Sequence, residues 1–227
     1  MSKSAQPIAG SIARALEKRI IEGLHTQAVP LRQAELAAEF GASHIPVREA
    51  LAMLAEKGMV RIVPNRGAMT VPLSASHCRE LAEMRVALEV IALRHSVPRL
   101  TPGRLAEAKS ALDAGRRART LTRRARCNWD FHRALYAQAE RPFLLDQMES
   151  LWRHADRYLR FAWSKAHHEQ RSDQEHDGIF EACAAHDVKL ACRLTREHII
   201  AAASSVQTLL EQEAVREASA PSPRQTW

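Results

Sequence analysis

A chain of 227 residues with 46% hydrophobic residues can bury a core in each of two modest domains. No run approaches the roughly 18 apolar residues of a membrane span, and the opening MSKSAQPIAG lacks a signal-peptide core, so the reading is cytoplasmic with no membrane contact. The formal charge of +7 permits a polyanion partner without proving one, and four cysteines without CxxC spacing read as reduced thiols.

In chain order, Ser11 is placed to cap a helix whose Ile12, Leu16, Ile20 and Leu24 keep one face apolar. A break follows at Gln27–Pro30. A short helix through Leu36, Ala37 and Phe40 ends at Gly41, a residue that takes the left-handed conformation readily. Ser43 is placed to cap the next helix, with Pro46 in its first turn, where a missing N–H costs little. Val47, Leu51, Leu54 and Ala55 form its inner stripe, and Gly58 stops it. Two β-prone segments, Val60–Val63 and Ala68–Val71, then flank the turn Pro64-Asn65-Arg66-Gly67.

Short helix, glycine turn, second helix and hairpin predict a winged helix-turn-helix over residues 1–73. In that arrangement the N-terminal end of the second helix meets base edges in the major groove of double-stranded DNA. Ser43, His44 and Arg48 occupy that end, and Arg66 with Gly67 sits at the wing tip. A protein-binding winged helix, with Arg48 paired to Glu49 or Glu39, is the alternative.

After a linker, Val71-Pro72-Leu73-Ser74, residues 74–216 pattern as helix throughout and predict an antiparallel bundle. Leu81, Met84, Leu88, Ile91 and His95 mark the first stripe, with further helices through Leu105 and Leu112, Leu121–Ala139, Pro142–Trp163, Glu169–Ala185 and Val188–Val215. Residues 217–227, rich in proline and serine, read as a disordered tail. The arginines from Arg116 to Arg126 read as a solvated face, with a second nucleic-acid contact as the alternative.

Three histidines lie on apolar stripes of different helices. His132 shares a face with Leu135 and Tyr136, His176 with Ile179 and Cys183, and His198 with Leu194 and Ala191. Asn128 falls one turn before His132. Three imidazoles and an amide oxygen suit a divalent ion such as Zn, Ni or Mn. Separately buried and satisfied histidines are the plainer alternative, though each then needs its own partner. Arg85 has two readings, a bidentate grip on an organic acid or a helix-surface pair with Glu89.

The stretch AELAAEFGASHIPVREALAMLAEKGMVRIVPNRGAMTV, above all Pro46-Val47-Arg48-Glu49-Ala50-Leu51 and Pro64-Asn65-Arg66-Gly67-Ala68, resembles the DNA-binding domain of the GntR family. His44, Ile45 and Ala34 depart from the residues common there. Asn128-x-x-Phe131-His132 followed by His176 and His198, with Glu83-Met84-Arg85-x-x-Leu88-Glu89, resembles the FCD sensor domain of the FadR subgroup. The resemblance implies a homodimeric regulator, commonly a repressor, that binds operator DNA. It also implies a metal at Asn128, His132, His176 and His198, beside a pocket for a small organic-acid effector. Effector binding would shift the dimer between geometries that fit the operator differently. A metal-dependent hydrolase is the rival; against it, no carboxylate falls on the apolar stripes beside the histidines.

Overall fold

The computed structural model describes residues 5–23, 28–64, 67–165 and 169–219. Its first unit builds from α1 (Ala5–Gly23), β1 (Pro30–Leu31), α2 (Gln33–Glu39), α3 (His44–Glu56), β2 (Val60–Val63) and β3 (Gly67–Thr70). Ile12, Leu16 and Ile20 of α1 pack with Val47, Leu51 and Leu54 of α3 in one core; Leu24 lies outside the described residues. The helix starts well before Ser11, so that serine is interior and not a cap. Ser43 occupies the N-cap position of α3 in extended backbone, but its side chain makes no cap hydrogen bond.

The antiparallel sheet has the order β1-β3-β2. Thr70 N donates to Val29 O at 2.9 Å and Val29 N to Thr70 Oγ1 at 2.8 Å, which draws the two-residue β1 onto the wing. Gly58 ends α3 in left-handed backbone at φ +65°, with Met59 N donating back to Leu54 O at 3.0 Å.

The second unit is helical: α4 (Ala75–Ser96), α5 (Pro102–Arg116), α6 (Leu121–Tyr136), α7 (Pro142–Lys165), α8 (Glu169–Ala184) and α9 (Val188–Ser219). Short turns of 3₁₀ helix follow α4 and α6. Ser74, Thr101 and Thr120 each accept a backbone N–H at the start of α4, α5 and α6. Asp187 Oδ1 accepts from Leu190 N at 2.9 Å and opens α9 after the break. Helix α9 continues to Ser219, three residues into the segment expected as a tail, and residues 220–227 lie outside the described residues.

Helix α4 turns a different face inward from the one its apolar stripe suggests. Cys78, Leu81, Ala82, Arg85, Val86, Glu89 and Val90 are buried, whereas Met84 and Ile91 are 44% and 41% exposed. The interior accepts the charged pair because neighbouring helices supply its partners. The arginine run is likewise only partly a solvated coat: Arg124 is buried, and Arg116 and Arg124 pair with Asp177 and Asp173 of α8.

Candidate metal centre and nucleic-acid interface

Helices α6, α8 and α9 bring His132, His176 and His198 together, all buried, with one ligand atom from each lying within 4.8 Å of the others. His132 Nε2 and His176 Nε2 are 3.3 Å apart. Two nitrogens at about 2.1 Å from a shared ion stand roughly 3.0–3.4 Å apart, so this pair already has the right spread.

What lies behind the rings fixes which nitrogen faces inward. His198 Nδ1 is 2.8 Å from Glu175 Oε2, an acceptor, so Nδ1 carries the proton and leaves the Nε2 lone pair free. His132 Nδ1 lies 3.1 Å from the Tyr136 hydroxyl, which donates to Glu89 Oε2 at 2.5 Å. Because that hydroxyl proton is committed to Glu89, the Tyr136 oxygen accepts from His132 Nδ1–H. Burial, reinforced by Glu89, holds the Tyr136 pKa well above the ordinary phenol range and keeps the donor protonated. Burial first, then the neighbouring imidazoles, holds His132 and His176 well below the usual histidine range. His132 and His176 are thus held as neutral imidazoles, the form that ligates a divalent cation.

Beside the rings lies a small cavity of about 50 Å³, lined by Arg85, Asn128, Trp152, Trp163, Glu175 and His198 among others. Asn128 also borders the neighbouring cavity on His176. Arg85 donates from Nε to Glu89 Oε1 at 2.7 Å and lies 4.1 Å over the Trp152 ring, while its Nη2 is buried with no partner. The helix-surface pair expected with Glu89 forms, but in the interior.

On the other unit, Ser43, His44, Ile45 and Arg48 are exposed at the start of α3. Glu39, one of the acids that might have tied Arg48 down, pairs with Arg19 instead. Arg66 lies outside the described residues. Gly67 has a backbone reason for its identity: at φ +90°, a Cβ there would sit 2.7 Å from Leu31 O.

Residues 80–201 match the FCD domain, and residues 8–69 match the bacterial regulatory proteins of the gntR family. The chain is a GntR-family transcription regulator. It carries the N-terminal helix-turn-helix of that family, which binds DNA, and the FCD domain of its FadR-like subgroup. It is 26% identical over 210 residues to the HTH-type transcriptional repressor RspR of Escherichia coli (strain K12), covering 91% of this chain and 92% of that one. A solved GntR-family regulator from Pseudomonas syringae pv. tomato str. DC3000 aligns at TM-score 0.57 and 27% identity over 95% of this chain and 91% of its own. A GntR protein from Rhodococcus sp. RHA1, at TM-score 0.67 and 23% identity over 88% and 97% of the two chains, shares the fold. The family is one of regulators and not of enzymes, so the hydrolase alternative falls. Among the described residues no helix is long and apolar enough to cross a membrane.

Within this GntR regulator the site holds residues that sequence patterning passed over. The expectation of no carboxylate beside the histidines is corrected by two: Glu175, which touches His198, and Glu89, which reaches His132 through Tyr136. Tyr136 lies one turn after His132 on the same face, but nothing in that spacing marks its hydroxyl as the partner of the ring. Glu175 carries no such signal, since it precedes His176 and points across to another helix.

Proposed function

We propose that the chain is a homodimeric repressor whose FCD domain holds a divalent ion and a small carboxylate effector. His132, His176 and His198 bind the ion through their inward nitrogens, with the Asn128 amide oxygen completing the set. The ion would present a positive, Lewis-acidic anchor for an effector oxygen. The unpartnered Arg85 Nη2 on the same cavity wall carries this reading, because a buried guanidinium donor without an acceptor calls for an anion. An effector bound between them would change the fit of the paired heads to the operator.

Ser43, His44 and Arg48 read base edges, Arg66 and Gly67 bring the wing to the backbone or minor groove, and exposed Ile45 suits a thymine methyl. Exposed Met84 and Ile91 on α4 and Ile200 on α9 supply apolar surface for a second copy. Similarity to the E. coli repressor supports the sign of regulation.

The test is metal analysis of wild type and His176→Ala after Zn²⁺ loading, followed by thermal shifts against a panel of small carboxylates. Wild type should hold one ion per chain and respond to a carboxylate only while metal is present. Full occupancy in His176→Ala overturns the site.

A further inference from the structure

Beyond the ion and effector, we infer that Arg157 of α7 is the positioning residue that joins the DNA-reading unit to the sensor, making α7 the rod between the metal chamber and α3. Its side chain is 5% exposed and donates from Nη1 to Gly58 O at 2.5 Å and from Nη2 to Val71 O. Gly58 is the turn at the end of α3, and Val71 leaves β3. Val71 N itself donates to Met59 O at 2.9 Å. One guanidinium thus clips both strands at the base of the wing and the exit of the recognition helix.

The fit around that clip is close. A Cβ at residue 58 would lie 2.6 Å from His154 Nδ1, so Gly58 lets α7 approach the turn. The next residue of α7, Tyr158, accepts from Ser74 N at 3.3 Å and lies 3.0 Å from His77 Nδ1, holding the linker. Glu17 of α1 adds an outer contact, 2.6 Å from Lys57 and 3.5 Å from Arg160.

Arg157 has no carboxylate partner among the described residues. A buried cation held only by carbonyls is a poor way to stabilise an interface, since apolar packing does so without the desolvation cost. What it provides is direction, because two planar N–H groups accept only one placement of the two carbonyls.

The same helix walls the sensor cavity. Trp152, five residues before Arg157 and about 7.5 Å along the axis, lies under Arg85 and packs on His132 with ring centroids 5.2 Å apart. Ala162 and Trp163, five and six residues after it, line the cavity again. A helix is stiff over this distance, so any resettling of Trp152 or Trp163 around an occupied chamber displaces Arg157 and both carbonyls it holds.

The transmission half of this inference rests on the metal reading, so the test keeps the two apart. Full-length wild type, Arg157→Ala and Arg157→Lys are each titrated with Zn²⁺ and melted by calorimetry without metal. Each is then titrated with a duplex selected in vitro on wild type, with saturating Zn²⁺ and with chelator. Wild type should melt in one transition and change its duplex affinity on the order of tenfold with Zn²⁺. Arg157→Ala should still bind Zn²⁺ but melt in two transitions, with duplex affinities within twofold in the two conditions. Arg157→Lys, keeping one donor nitrogen in place of two, should restore part of the Zn²⁺ response, which a merely structural role does not predict.

A single unchanged transition and an unchanged response in Arg157→Ala overturn the inference. Zn²⁺ failing to bind wild type overturns the metal reading instead, and the melting still decides the clip. Should Arg157→Ala not fold, hydrogen exchange of wild type gives the answer: Zn²⁺ must alter protection across residues 58–71, and no change there refutes the link.

Discussion

Replacing Glu175 by alanine tests whether a carboxylate behind a ring, and not on the ion, sets metal affinity. Glu175 Oε2 lies 2.8 Å from His198 Nδ1, and its side chain is 28% exposed against 8% for the histidine. Without it the imidazole is free to place its proton on either nitrogen and to rotate, so part of its population presents N–H to the ion. Loss of such an orienting partner costs about 10- to 100-fold in metal affinity. Partial exposure lets water take over the acceptor role, which places the effect near the lower end, about tenfold or ~1.4 kcal/mol. Glu175→Gln keeps an acceptor oxygen without the charge and should lose only about threefold. Competition between protein and a chromophoric chelator for Zn²⁺ measures both. If Glu175→Ala binds Zn²⁺ as wild type does while His198→Ala loses it, the orienting role is refuted.

Tyr136→Phe removes the acceptor of His132 Nδ1 and one donor to the fully buried Glu89, so thermal unfolding should report a loss of about 1–3 kcal/mol. Zn²⁺ affinity should fall with it, by about tenfold. The pH dependence of the metal-free protein follows from His132 and His176, whose folded pKa values lie well below the ordinary 6.5. As pH falls the unfolded chain takes up protons first, so stability is fully present above about 6.5 and is lost below it. The slope reaches up to about 1.4 kcal/mol per pH unit for each histidine, and denaturant melts between pH 7.5 and 5.5 check this. Asn128→Asp brings a negative charge to the cavity and should tighten Zn²⁺ about tenfold, desolvation offsetting most of a Coulomb attraction of ~4 kcal/mol. The same substitution should weaken the thermal shift from added carboxylates, which then compete with the protein's own.

Much of the fold was legible because its breaks are chemical. Pro102, Pro142 and Asp187 interrupt the helical pattern where helices start, and Gly67 opens β3 in left-handed backbone. The two-residue β1 was not, since no periodicity exists over two positions and only Thr70 and Val29 hold it in place. The face of α4 was misjudged for a deeper reason. Apolar patterning picks Leu81, Met84, Leu88, Ile91 and His95, whereas the buried face keeps Leu81 and adds Arg85 and Glu89. Those charges are solvated from other helices, by Tyr136 and Trp152, and such tertiary solvation leaves no mark in the local sequence. The histidines stood out because imidazole on an apolar stripe is unusual by itself.

The placement of charge around the histidine triad separates it from a hydrolytic centre. The carboxylates of Glu175 and Glu89 beside it are engaged by a ring nitrogen, by Arg85 and by a phenol. Each oxygen so used orients a ligand or a guanidinium and is correspondingly weak as a proton acceptor for water. Imidazole ligands carry no charge of their own, so a dication bound there would keep most of its charge, and Arg85 adds another positive group on the same cavity wall. Under the proposed reading, a metal-loaded site of this kind would attract an anion and have little means of turning it over. Under that reading, binding energy not spent on chemistry would be available to move α7.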